Sequence, residues 1–72
     1  MSQEIFENMF LKIREENPTN KITLKYGAEE VTFDGEANIK IKNGWLRYIN
    51  LNDSTIRYIN IDTIYEIELN KD

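Results

Sequence analysis

The chain has 72 residues, a net charge of −4, and neither cysteine nor histidine. The missing cysteine excludes a disulfide framework and thiolate metal sites, and the missing histidine removes the commonest metal ligand and the usual general base. A chain of this length is predicted to form one domain, 1–72, with a thin core, so self-association or docking on a partner is the remaining way to stabilise it.

The N-terminal segment is predicted to form an amphipathic helix over about residues 2–16. Its apolar residues recur at spacings of three and four, as on one stripe of a helix: Ile5, Phe6, Met9, Phe10 and Ile13. Ser2 is a suitable N-cap, and Asn17-Pro18 ends the helix because the residue before a proline avoids the helical region. The stripe is expected to cap a sheet; the alternative is insertion into a groove of a partner.

From Lys21 onward the period changes to two, which predicts antiparallel strands over about residues 21–69. The first strand is expected to be broken or bent at Gly27 and to continue through Val31 and Phe33. The Asp34-Gly35 pair then predicts a turn. A three-residue loop ending at Gly35 would place Val31 opposite Ala37, which keeps the apolar faces together.

The Asn43-Gly44 pair is the strongest hairpin signal in the chain and predicts a two-residue turn with both residues at positive φ. This turn would pair Lys42 with Trp45 and Ile41 with Leu46. Leu46 and Tyr48 then join the core, together with Ile39 and Ile41 of the preceding strand.

The strand over residues 45–51 is apolar on both faces, because Trp45, Ile49 and Leu51 alternate with the predicted core residues. Strands of this kind are usually covered on both sides. We expect the N-terminal helix or closure of a barrel to cover the second face. The alternative is a partner surface, since exposed apolar patches with tryptophan mark interfaces.

A near-repeat follows ten residues later, because the segment 46–52 resembles the segment 56–62. A polar turn between the two copies predicts a hairpin. Arg47 and Arg57, with Tyr48 and Tyr58, are expected to pack as ordinary strand residues; the functional alternative is a surface ladder of arginines and tyrosines. A tight helical turn near Asp62 and a final strand ending near Leu69 complete the chain.

One helix followed by five short sequential strands predicts an α+β fold with a strongly bent antiparallel sheet. This order resembles the small SH3-like and Sm-like barrels. The segment 58–64 is similar to the strand, tight turn and strand that close an Sm-like barrel. The resemblance implies a small barrel or half-barrel and no functional residues, because the glycine and basic signatures of RNA binding in that family do not occur here. An open sheet with the helix across one face is the alternative.

The composition predicts a non-catalytic protein without cofactor, metal or small-molecule substrate. The carboxylate pairs, such as Glu66 and Glu68, lie at expected surface positions, and no histidine is present to activate a hydroxyl. No apolar run is long enough for a membrane span, and the acidic N-terminus is unlike a signal peptide, so the expected location is the cytoplasm of a bacterium or of a phage-infected host.

The leading functional hypothesis is a protein-interaction module that acts as a small acidic accessory or inhibitory protein, encoded by a phage or mobile element, and that docks on a larger protein or on itself. An acidic surface of this kind could occupy a basic groove on its target. The alternative is a single-stranded nucleic-acid-binding barrel, in which Trp45, Tyr48 or Tyr58 stack on bases and nearby lysines and arginines meet phosphates. The net charge argues against direct nucleic-acid binding. The predicted partner-binding residues are Trp45, Arg47, Ile49, Leu51, Arg57 and Tyr58.

Overall fold

A computed structural model describes residues 1–34, 37–50 and 52–71. The elements in chain order are α1 (Gln3–Glu16), β1 (Lys21–Tyr26), β2 (Glu29–Phe33), β3 (Ile39–Lys42), β4 (Trp45–Asn50), β5 (Thr55–Asn60), a 3-10 turn (Ile61–Thr63) and β6 (Ile64–Asn70). The predicted α+β class is confirmed, but the strands form two three-stranded sheets, ordered β2-β1-β6 and β3-β4-β5. The prediction of one five-stranded sheet is therefore wrong, and the described strands do not close into a barrel.

Helix α1 begins and ends where the sequence predicts. The Ser2 hydroxyl accepts a hydrogen bond from the Ile5 backbone N–H at 3.3 Å, which caps the first turn. Phe6 and Phe10 are fully buried, whereas Ile5 and Met9 remain 57% and 44% exposed. The predicted apolar stripe is thus only partly a core stripe, because Ile5 and Met9 lie about 100° around the helix from the buried rings. In the described part of the chain, no helix combines the length and apolar character needed to cross a membrane.

Gly27 was expected to break or to bend the first strand, and it breaks the strand, because the chain reverses there. Tyr26 pairs with Glu29, so Gly27 and Ala28 form a two-residue turn between β1 and β2. Gly27 has φ +55°, which a residue without a Cβ adopts at no steric cost. The extra reversal raises the number of strands from five to six.

The predicted pairing of Val31 with Ala37 is also wrong. Val31 pairs with Leu24 on β1, so β2 forms its backbone hydrogen bonds within the first sheet. Strand β3 belongs to the second sheet. Gly35, on which the three-residue loop depended, lies outside the described residues, as does Glu36. The turn signal at Asp34 therefore marks a change of sheet and not a hairpin.

The second sheet follows the sequence prediction closely. Asn43 and Gly44 have φ of 52° and 82°, and Lys42 pairs with Trp45 as expected for a two-residue turn. The hairpin predicted from the near-repeat is confirmed, with Leu46 opposite Ile59 on adjacent strands β4 and β5. The tight turn before the last strand is also confirmed, as the 3-10 turn at Ile61–Thr63.

The core lies between the inner faces of the two sheets and the buried side of α1. The phenylalanine ring at position 33 in the first sheet meets the ring of Tyr48 in the second edge to face, with centroids 4.9 Å apart. The side chains of the core are Phe6, Phe10, Ile22, Leu24, Phe33, Leu46, Tyr48, Ile59, Ile61 and Ile64. Burial of the β4 side chains at positions 46 and 48 against this core directs the alternate side chains of β4 to the opposite face.

Candidate functional site

The outer face of the second sheet carries a group of apolar and cationic side chains, which we call the docking face. The strand register places Arg47 on β4 between Lys40 on β3 and Tyr58 on β5, and it places Ile49 opposite Ile56. These side chains share one side of the sheet because side chains alternate along each strand. The docking face consists of Lys40, Lys42, Trp45, Arg47, Ile49, Ile56 and Tyr58.

Four large apolar side chains on this face are exposed. The exposed fraction is 47% for Trp45, 43% for Ile49, 55% for Ile56 and 61% for Tyr58. Neither α1 nor closure of the sheet covers Trp45 and Ile49, so the expectation that the protein's own fold hides this face is wrong. The physical reason is that α1 packs on the inner side of the sheets, against the same core that buries Leu46.

The charge on the docking face is positive although the whole chain is acidic. Lys40, Lys42 and Arg47 lie on it, and β3, β4 and β5 contain no aspartate or glutamate. Of the carboxylates that the structure describes, none forms an ion pair with these three cations. The face therefore joins exposed apolar side chains to a row of cations that no described carboxylate neutralises.

The outer face of the first sheet has a different character, because its polar groups satisfy one another. The ammonium of Lys25 lies 3.1 Å from the Glu66 carboxylate and 3.0 Å from that of Glu68. The hydrogen bond from Lys25 lowers the pKa of Glu68, and both carboxylates raise the pKa of Lys25. Beside them, the Thr23 hydroxyl accepts a hydrogen bond from the Asn70 side chain at 2.9 Å. Lys25, Glu66 and Glu68 are therefore engaged with one another on this face.

Arg57 and Tyr48 lie on the side of the second sheet away from the docking face. They pair across β4 and β5, and with Tyr26 of the first sheet they line an open cleft of about 370 Å³. Burial raises the pKa of Tyr26, and the nearby hydroxyl of Tyr48 and carboxylate of Glu29 raise it further. The two arginine–tyrosine pairs of the near-repeat therefore face opposite sides of the sheet and do not form one surface ladder.

The guanidinium of Arg57 is held by the tip of the β4–β5 hairpin. It donates to the Asp53 carboxylate at 2.6 Å, and Asp53 also accepts from the hydroxyl and backbone N–H of Thr55. These bonds from Thr55 and Arg57 lower the pKa of Asp53 below its ordinary value of 3.8. Arg57 is thereby engaged within its own hairpin.

Acid is expected to remove the contribution of Asp53 to stability. Because its pKa in the folded state is lower than in the unfolded state, the stabilisation is fully present above 3.8 and is lost as pH falls through the lower, folded value. Urea unfolding of the wild type and of Asp53→Asn checks this. The wild type should have the higher midpoint at about pH 6, and the two midpoints should converge by about pH 2. A difference that is the same at both pH values would contradict the assignment.

The structure brings together four of the six predicted partner-binding residues, namely Trp45, Arg47, Ile49 and Tyr58. Arg57 lies on the other face, and Leu51 lies outside the described residues. Sequence reasoning missed Ile56 as a site residue. The signal was available, because the register that pairs Leu46 with Ile59 also places Ile56 opposite Ile49.

The side chains of the docking face can make apolar contacts and carry positive charge. Within residues 1–34, 37–50 and 52–71, no group of three or more histidine, cysteine, aspartate or glutamate side chains is arranged to hold a metal ion. The face supplies exposed aromatic rings, an aliphatic pair, lysines and an arginine. No protein-family model, curated protein or solved structure matches the chain.

Proposed function

We propose that the protein is a non-catalytic interaction module of the cytoplasm, an accessory or inhibitory protein that binds a larger protein through the docking face. The single observation that carries this proposal is the group of four large apolar side chains, each 43% to 61% exposed, on one face. Exposed apolar patches mark interaction sites, and tryptophan, tyrosine and arginine are enriched at protein interfaces. The partner that fits is a protein surface with apolar side chains flanked by carboxylates.

The aliphatic pair at the end of the face favours a protein partner. Ile49 and Ile56 lie directly opposite each other and have no hydrogen-bonding group to offer a polar ligand. Covering them removes apolar area from water, which contributes roughly 25 cal/mol per Å² before the costs of association. Aromatic anchors beside such a pair, here Trp45 and Tyr58, are the residue types that dominate binding energy at interfaces.

The cations favour a partner surface that is negatively charged. Lys40, Lys42 and Arg47 would lie opposite carboxylates in a complementary complex, which accelerates association and disfavours basic partners. Two copies of this chain stacked face to face would instead oppose their positive charges. The charge therefore favours a different protein as the occupant of this face.

Affinity capture with matched variants tests the proposal. The double variant Ile49→Ser/Ile56→Ser removes apolar surface from the docking face, whereas Ile5→Ser/Leu11→Ser removes exposed apolar surface from α1. A host protein retained by the wild type should be retained equally by the helix variant and at least about tenfold less by the docking-face variant, a loss of about 1.4 kcal/mol. Equal retention by all three proteins, or retention of nothing by the wild type, would overturn the proposal.

A second candidate, single-stranded nucleic-acid binding, is favoured by one observation. Trp45 and Tyr58, which could stack on bases, share the docking face with three cations and no carboxylate from its strands. Tyr48 and Arg57 are unavailable for this role, because Tyr48 is buried and Arg57 is engaged by Asp53. Salt-dependent binding of a labelled single-stranded oligonucleotide, lost in Trp45→Ala, would support this candidate, and no binding at low salt would exclude it.

We also propose that the two sheets are the halves of an SH3-like or Sm-like half-barrel. The support is the order of the elements: a helix, sequential antiparallel strands, and a 3-10 turn between β5 and β6. The half-barrel description adds no functional residue to the docking face.

A further inference from the structure

We propose that two copies of the chain associate through the outer edge of β5, in antiparallel pairing about a two-fold axis at Tyr58. This inference concerns the strand edge and is independent of the docking-face proposal. The two sheets have four outer strands, namely β2, β6, β3 and β5. Outer strands present unpaired backbone groups, and proteins usually protect them with charges, bulges, proline or short length.

Three of the outer strands are protected in this way. The first, β2, begins with Glu29 and Glu30, and β3 is only four residues long with two lysines. On β6, two glutamates flank Ile67. The pairing of β6 with β1 also contains a bulge, because Lys25 pairs with Glu66 whereas the next residue, Tyr26, pairs with Ile64. This bulge leaves Tyr65 unpaired and 63% exposed.

The fourth outer strand, β5, has none of these protections. Its six residues, Thr55–Asn60, contain no lysine, acidic residue or proline, and its pairing with β4 is regular. Its one charged side chain, Arg57, is neutralised by Asp53. By composition and geometry, β5 is the described strand edge that is open to another strand.

The hydrogen-bond pattern identifies which backbone groups are exposed on this edge. The Ile61 N–H donates to the Gly44 carbonyl at 2.9 Å. Because hydrogen-bonded and non-bonded pairs alternate in an antiparallel ladder, the backbone groups of residues 55, 57 and 59 point toward β4. Those of Ile56, Tyr58 and Asn60 point outward. The Asn60 carbonyl accepts from the Thr63 hydroxyl at 2.6 Å, and no bond within the described residues engages the N–H and C=O of Ile56 and Tyr58.

A second copy of β5 matches this pattern in one register. In this register Tyr58 lies opposite Tyr58 of the second copy, and Ile56 lies opposite Asn60. The outward-pointing backbone N–H and C=O groups of one strand therefore meet those of the other. Moving the register by two residues in either direction would pair only two of the three outward-pointing residues of β5 with one another, and it would leave the third opposite a residue outside the strand. A move toward the N-terminus would require pairing by Ser54, which lies in the turn at φ +59°.

The charges of the docking faces do not oppose this dimer. Lys40 and Lys42 lie on β3, two strands away from the pairing edge. Arg47 lies on β4, one strand away. In a continuous six-stranded sheet the two β3 strands would be about 24 Å apart and the two β4 strands about 14 Å apart, at about 4.8 Å per strand, and both distances exceed the screening length of roughly 8 Å at physiological salt. The dimer would place two docking faces side by side on one sheet, so that a repetitive or dimeric partner could engage both.

Proline at position 58 tests the edge directly. Tyr58→Pro removes an N–H that points away from β4, so the intramolecular ladder is kept, whereas Tyr58→Thr keeps the N–H and removes the ring. In light scattering over a wide concentration range, the wild type and Tyr58→Thr should rise toward twice the monomer mass. Tyr58→Pro should stay monomeric with an unchanged circular dichroism spectrum. A wild type that stays monomeric, or a folded Tyr58→Pro variant that dimerises as the wild type does, would overturn the proposal.

Oxidative cross-linking provides a test that does not depend on the proline variant folding. The chain has no cysteine, so Tyr58→Cys and Trp45→Cys each introduce a single thiol. In the proposed register the two Cα atoms at position 58 lie about 5.5 Å apart, within the range for a disulfide, whereas those at position 45 are far apart. Tyr58→Cys should form a covalent dimer at least about tenfold faster than Trp45→Cys. Equal rates would contradict the register, whatever the capture experiment on the docking face shows.

Discussion

Phe10→Ala is expected to lose about 3–5 kcal/mol of unfolding free energy, the usual cost of truncating a buried phenylalanine. The ring is 1% exposed and stacks on Phe6 with centroids 5.2 Å apart. It also lies under the guanidinium of Arg14, 5.5 Å from the ring centroid. A 72-residue domain has roughly 4–11 kcal/mol of stability at 0.05–0.15 kcal/mol per residue. The loss is therefore a large fraction of the whole stability, and the variant is expected to unfold at a much lower urea concentration than the wild type.

Urea unfolding followed by circular dichroism measures this loss, with Leu11→Ala as the matched control. Leu11 is the next residue along the same helix but is 53% exposed. Its replacement should change the unfolding free energy by no more than about 0.5 kcal/mol, as is usual for surface positions. If Phe10→Ala were as stable as Leu11→Ala, the packing of α1 on the two sheets would be wrong.

Gly44→Val is expected to destabilise the protein by about 1–3 kcal/mol through backbone strain. Gly44 has φ +82°, a region that a β-branched residue rarely adopts. A Cβ at this position would meet no atom within 4 Å, so the cost would come from the backbone and not from a clash. The same glycine accepts the bond from Ile61 and donates its N–H to the side chain of Gln3, so this turn joins α1 and the end of β5.

Asn43→Gly is the control for this turn. Asn43 also has positive φ, at 52°, and glycine adopts that conformation freely, so its replacement should leave the unfolding free energy within about 0.5 kcal/mol of the wild type. Thermal unfolding of both variants provides the comparison. Hydrogen exchange at the Ile61 amide should also accelerate in Gly44→Val. A wild-type melting temperature for Gly44→Val would show that the turn does not hold the positive φ described here.

Local rules predicted the second sheet correctly because its signals are contained within a few residues. The Asn43-Gly44 pair determines the turn, the turn determines the register, and the register determines that Leu46 and Tyr48 face the core. The first sheet was predicted less well. A glycine in an alternating segment can bend a strand or reverse it, and Gly27 reverses it because β2 finds its partner in β1.

The candidate site was likewise predictable from the sequence only in part. Its residues could be selected from the sequence because Trp45, Ile49 and the arginine between them alternate with core positions on one strand. Their exposure could not be predicted, because it depends on which side of the sheet α1 occupies. Ile56 was identified as a site residue only from the strand register, which places it opposite Ile49. Arg57 is not part of the site, because its position in the register directs its side chain to the other face, where it contacts Asp53.

The sequence by itself determined the helix, its two ends, the Asn43-Gly44 hairpin and the apolar character of both faces of β4, since each depends on neighbours within a turn or a strand. Only the tertiary structure decided that six strands divide into two sheets, that α1 covers the inner faces, and that Trp45 and its neighbours remain exposed. Those outcomes depend on contacts between residues far apart in the chain, such as the pairing of β1 with β6. Such pairings are chosen by the burial of the whole core and not by any local pattern.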